Sequence, residues 1–172
     1  MVDVVVTGYT VPMRIASTAS AVVITFAVGL SGGCAPEALP VTFDDLRINE
    51  VAASGTPLDW VELVTIGDVD VSLDGLFLTD DATDPGKGAI PGGLVVAPGE
   101  FVVIEIDEFG VGFRIGSDEQ LVLIDTDGLP IDTADWAEGG SPDGGSFGRS
   151  VDGAGVFVTF AVHTRGASNV AP

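Results

Sequence analysis

The sequence predicts an all-β chain, a sandwich or barrel of about seven to nine short strands, preceded by an N-terminal export segment. Three observations predict it. After Asp44 no window carries apolar residues at helical spacing through three turns. The 24 glycines punctuate the chain too often for long helices. Short runs with one apolar face recur between turn-forming clusters, which is the pattern of packed antiparallel sheets. Strands are expected at 46–52, 60–65, 73–79, 94–96, 101–106, 120–125, 129–133 and 156–162.

The first two of these form the opening pair. Arg47-Ile48-Asn49-Glu50-Val51 and Asp59-Trp60-Val61-Glu62-Leu63 flank a short polar turn, and in the second run Val61 and Leu63 share one face while Trp60 and Glu62 share the other. Phe101-Val102-Val103-Ile104 is apolar on both sides, so a central strand covered on both faces is expected there. Residues 120–132 read as a hairpin turning at Asp127-Gly128, because the tight hairpin turn requires positive φ at both central residues. Phe113, Trp136, Phe147 and Phe157 are the expected large core side chains. The glycine-rich run 139–145 is a loop by composition.

The opening pair and several later runs together resemble the lamin tail domain family, in the form found in secreted bacterial proteins and lipoproteins. After Ile48-Asn49-Glu50 and Asp59-Trp60-Val61-Glu62-Leu63 come Leu73-Asp74-Gly75-Leu76-Phe77-Leu78-Thr79-Asp80-Asp81 and Pro98-Gly99-Glu100-Phe101-Val102-Val103-Ile104. Asp127-Gly128, Gly148-Arg149, Asp152-Gly153 and a closing Thr164-Arg165-Gly166-Ala167-Ser168-Asn169 follow in the same order. The family usually continues the tryptophan strand with an aromatic and Asn, where this chain has Val64-Thr65, and closes with Thr-Pro-Gly, where this chain has Arg165. The resemblance implies an immunoglobulin-like β sandwich over residues 44–172.

Charge narrows the partners. The chain holds 26 acidic and 6 basic residues for a formal net charge of −20, and all but Asp3 and Arg14 lie after Cys34. Such a surface repels phosphate backbones, so no nucleic-acid partner is expected. It also keeps a glycine-rich β protein soluble by mutual repulsion.

The first 33 residues read as a signal peptide, with Met13 an alternative start. Arg14 precedes an apolar run from Ala21 to Leu30, which at about ten residues is short for a membrane span. Ser31-Gly32-Gly33 then leads into Cys34, the single cysteine, which excludes an internal disulfide. Small residues before a lone cysteine resemble a lipobox, with Ser31 where the family prefers Leu. The resemblance makes Cys34 a lipidated anchor and 34–43 a short tether. Because Ala35 is not Asp, the outer membrane or cell surface is favoured. The alternative is a plain signal peptide that leaves the thiol inert or paired with another chain.

Candidate sites are sparse. Asp125-Thr126-Asp127-Gly128 echoes the start of a calcium loop, so Asp125 and Asp127 are candidate metal ligands, although Asp-Gly also serves turns for conformational reasons. Asp80, Asp81 and Asp84 form a second acidic run without a closing ligand. Glu50 and Glu62, on neighbouring strands, either approach each other at a cost or point into water. Arg149 is expected to brace the sheet through a carboxylate such as Glu62. Asn49, Glu50, Trp60, Glu62 and Arg149 are thus structural candidates. No nucleophile elbow, zinc-ligand spacing or phosphate cradle occurs, and His163 is the single histidine. The expectation is a non-enzymatic, cofactor-free binding or scaffolding module for a protein or glycan, anchored to the membrane. A calcium-dependent adhesion or glycan-binding module is the alternative.

Overall fold

The computed structural model describes residues 43–53, 58–107 and 110–170. By its contacts the chain divides into Met1–Leu39 and Pro40–Pro172, and the described residues belong to the second unit. The signal peptide and Cys34 lie outside the described residues.

The described residues contain no helix and eleven strands: β1 Leu46–Ala52, β2 Trp60–Thr65, β3 Val71–Ser72, β4 Phe77–Thr79, β5 Gly88–Ala89, β6 Val95–Val96, β7 Val102–Glu105, β8 Glu119–Ile124, β9 Pro130–Trp136, β10 Ser146–Val151 and β11 Ala154–Phe160. A five-stranded sheet runs β11-β10-β1-β2-β7, a four-stranded sheet runs β5-β4-β8-β9, and β3 and β6 make a small pair. All pairings are antiparallel. One hydrophobic cluster joins Ile48, Val51, Val61 and Leu63 of the larger sheet to Leu78, Leu121, Leu123 and Trp136 of the other. Two sheets sharing one apolar layer are consistent with a β sandwich.

Several expectations are corrected. The run 73–79 is not one strand: Leu73 to Leu76 form a turn, closed by the Leu76 N–H donating to the Leu73 carbonyl, and β4 starts at Phe77. The strand around Phe101 is β7, an edge strand with Val102 and Val103 only half-buried, so it is not central. Three strands escaped the pattern altogether, β3, β5 and β10. The β10 sequence Ser-Phe-Gly-Arg-Ser-Val lacks an apolar alternation because its polar members are buried against other polar groups. Among the expected large core residues, Phe113 and Trp136 are buried, whereas Phe147 and Phe157 stack on each other at the margin of the core.

The β8–β9 hairpin forms where expected, but its turn differs. Gly128 alone has positive φ, because no described non-glycine residue does. The Gly128 N–H donates to the Asp125 carbonyl at 3.1 Å, and the Asp125 N–H to the Leu129 carbonyl at 2.8 Å. This is a four-residue turn followed by a left-handed glycine, which asks nothing unusual of Asp127.

A candidate site beneath the C-terminal segment

The opening strand pair is organised by a bulge. Ile48 stands opposite Leu63, but Glu50 is the residue opposite Glu62, so Asn49 is the extra residue of β1. A strict alternation from Leu46 and Ile48 would aim Glu50 at the core. The inserted Asn49 reverses the phase, so that Val51 pairs with Val61 in the core and Glu50 pairs with Glu62 on the opposite face.

That opposite face is not open to water. Glu50 and Glu62 are both 0% exposed, because the chain after β11 returns across them. The Thr164 N–H and hydroxyl donate to the two oxygens of Glu50 at 2.8 and 2.9 Å, and the Ser146 hydroxyl donates to the same carboxylate. The Gly166 N–H donates to Glu62 at 2.6 Å, and Asn49 Nδ2 to its other oxygen at 2.9 Å. Of the two alternatives for Glu50 and Glu62, close approach rather than solvation is what the structure has: they form a buried pair that holds the C-terminal segment. Burial pushes the Glu62 carboxyl up to about 7, with the neighbouring Glu50 and Asp152 charges adding to the rise and the Asn49 and Gly166 hydrogen bonds opposing it.

Asn49 links this pair to the next turn. Its Oδ1 accepts from the Gly153 N–H at 2.9 Å, and its Nδ2 also lies 3.2 Å from Asp152. Asp152 accepts from the Asn169 N–H at 2.8 Å, and Asn169 Nδ2 donates to the Arg149 carbonyl at 2.7 Å. Beside the carboxylates, Trp60 is fully buried under the same segment, with the His163 ring edge-on at 5.7 Å and the Arg165 guanidinium 5.6 Å from its ring centre. Arg165 also pairs with Glu105 of β7. His163 follows β11 and starts the returning segment.

Arg149 does brace the structure, but through Asp132 rather than Glu62. Its Nη2 donates to both Asp132 oxygens, at 2.8 and 3.0 Å, and its Nε to the Ile48 carbonyl at 2.8 Å. The Ile48 N–H in turn donates to Asp132 at 2.9 Å. The backbone groups that β1 leaves outside its ladder at the bulge are thus satisfied by an ion pair between β10 of one sheet and β9 of the other. The guanidinium also lies 4.5 Å from the Phe157 ring centre.

The other candidates lie elsewhere. Asp125 Oδ1 accepts from the N–H groups of Asp127 and Leu129, both at 2.8 Å, which caps the hairpin turn. Asp125 and Asp127 border a groove of about 490 Å³ together with Phe43, Asp44, Arg47 and Ile131. Asp80 pairs with Lys87, and Asp81 is held below the usual carboxylate range by hydrogen bonds from Thr83. Among the described residues no group of three or more His, Cys, Asp or Glu side chains is arranged to hold a metal ion.

Residue-by-residue reading missed Asp132, Asp152 and Asn169. The one signal that could have found two of them was the order Gly148-Arg149, Asp152-Gly153 and Thr164 to Asn169, read as parts of one contact rather than as separate markers. Comparison of the chain with protein-family models, with curated proteins and with solved structures finds no match.

Proposed function

We propose that residues 44–172 are a lamin-tail-like, immunoglobulin-like sandwich that serves an exported bacterial lipoprotein as a non-enzymatic binding or scaffolding module. Cys34 is the lipid anchor in this reading, and the outer membrane or cell surface is where the module is displayed. The observation that supports it is the meeting of the separated pieces on which the family resemblance rests. Asn49-Glu50, Trp60 and Glu62, Arg149, Asp152-Gly153 and Thr164 to Asn169 gather around one hydrogen-bonded network that locks the end of the chain onto the larger sheet.

Mass spectrometry of the native protein extracted from membranes tests the anchor. A mature chain beginning at Cys34 with a diacylglyceryl adduct is expected. A soluble chain with unmodified Cys34 contradicts it. Calcium titration separates the module from the adhesion reading: a large rise in melting temperature with calcium, abolished by Asp125→Asn with Asp127→Asn, would favour calcium-dependent binding instead.

A further inference from the structure

Among the described residues, the free edges of the two main sheets are unlike one another. β7 ends in Glu105, which is tied to Arg165; β9 carries Pro130, Asp132 and Asp135; β5 is two residues long. Charge, proline and shortness are the usual means of keeping an edge from pairing with another chain. β11 has none of these three; its one irregularity is a bulge near its start, at Gly155, which leaves Phe157 to Phe160 in regular register. It runs seven residues as Ala-Gly-Val-Phe-Val-Thr-Phe, pairs with β10 on one side, and no charged residue occurs from Gly153 to Val162. Val156 is 71% exposed, and Val162 just beyond the strand is 73% exposed.

We propose that the β11 edge is a strand-addition site for an extended polypeptide segment with apolar residues at alternate positions and basic residues at its ends. This rests on the reading of the chain as a binding module. Main-chain hydrogen bonds along the edge supply the affinity, and the alternate side chains pack beside Val156 and Val158. Charge chooses the partner. The chain carries −20 overall, so the long-range field around this uncharged edge is negative. A basic-flanked segment is attracted and steered to this edge. A second copy brings another −20, and seven residues of strand pairing fall well short of the roughly 1,600 Å² of a standard stable interface.

The test uses the full chain in detergent and two synthetic peptides, Lys-Lys-Val-Thr-Val-Thr-Val-Lys-Lys and its counterpart with Glu replacing every Lys. The lysine peptide is expected to bind in fluorescence anisotropy, to weaken about tenfold from low to high salt, and to slow hydrogen exchange across β11. Val156→Lys and Thr159→Lys, both at exposed positions, should weaken it about tenfold or more with an unchanged melting temperature. Slowed exchange elsewhere, unaffected by these variants, would overturn the site while leaving the module reading intact. Equal binding of the glutamate peptide would overturn the charge argument. A concentration-dependent dimer dissolved by Val156→Lys would hand the edge to a second copy. No binding of the lysine peptide would overturn the proposal outright, whereas the anchored module stands or falls separately on the mass at Cys34.

Discussion

Glu50 and Glu62 face each other across the first two strands with no exposed surface, and each holds a different backbone N–H of the returning C-terminal segment. Two like charges in register destabilise a sheet unless donors surround them. Here Thr164, Ser146, Asn49 and Gly166 are those donors, so the segment and the carboxylates stabilise one another.

The first prediction concerns pH. The Glu62 carboxyl lies at about 7 in the folded chain against 4.5 for an ordinary glutamate. Between those values the folded state holds a proton that the unfolded state has released, so this group's contribution is greatest below 4.5 and is lost as pH rises to 7. Urea unfolding of wild type and Glu62→Gln should show their stability difference shifting by roughly 2 to 3 kcal/mol in the variant's favour across that window. A difference that does not change with pH would contradict the assignment.

Asn49 supplies the second. Its side chain is buried and bonds Glu62, Asp152 and the Gly153 N–H at once. Asn49→Ala should cost about 3 kcal/mol, from buried groups left without partners. Asn49→Asp keeps the shape but adds a carboxylate beside two others, and should cost at least as much at neutral pH while recovering in acid. Denaturant midpoints at two pH values measure both.

The ion pair at the bulge gives the third. Arg149→Ala should destabilise the chain by about 3 kcal/mol, because it leaves Asp132 partly buried without its cation. Arg149→Lys should recover little of that loss, since one ammonium cannot bond both Asp132 oxygens and the Ile48 carbonyl while stacking on Phe157. Thermal melts of the two variants compare them directly.

A glycine beneath the returning segment gives the fourth. A Cβ on Gly148 would sit 3.0 Å from the Phe160 ring, 3.1 Å from Glu50 Cγ and 3.2 Å from Asn169 Nδ2. Gly148→Ala should therefore wedge the segment off the sheet at a cost of about 1 to 3 kcal/mol. Limited proteolysis near Thr164 should speed up more than the loss of overall stability accounts for.

The all-β class was legible because alternation and turn chemistry are local: Val61 and Leu63 do face the core, and Gly128 does take the left-handed conformation. What was not legible depended on the bulge. Nothing in Ile48-Asn49-Glu50 says that Asn49 is the inserted residue, and only that insertion puts Glu50 opposite Glu62 rather than in the core. The cover over the pair was equally hidden, since Thr164 lies 114 residues from Glu50. Arg149 pairs with a carboxylate, but which one depended on which β9 residue lies near the bulge, and Asp132 offered no pattern of its own.

The most direct measurement is a carbon-detected NMR titration of the Glu62 side-chain carboxyl, followed together with the Gly166 amide. Titration of the carboxyl near 7, with the Gly166 amide proton shifting at the same midpoint, is the result expected if Glu62 is buried and holds the returning segment. A Glu62 midpoint near 4.5 with an unresponsive Gly166 amide would mean that the carboxylate is solvated and the segment is held by something else.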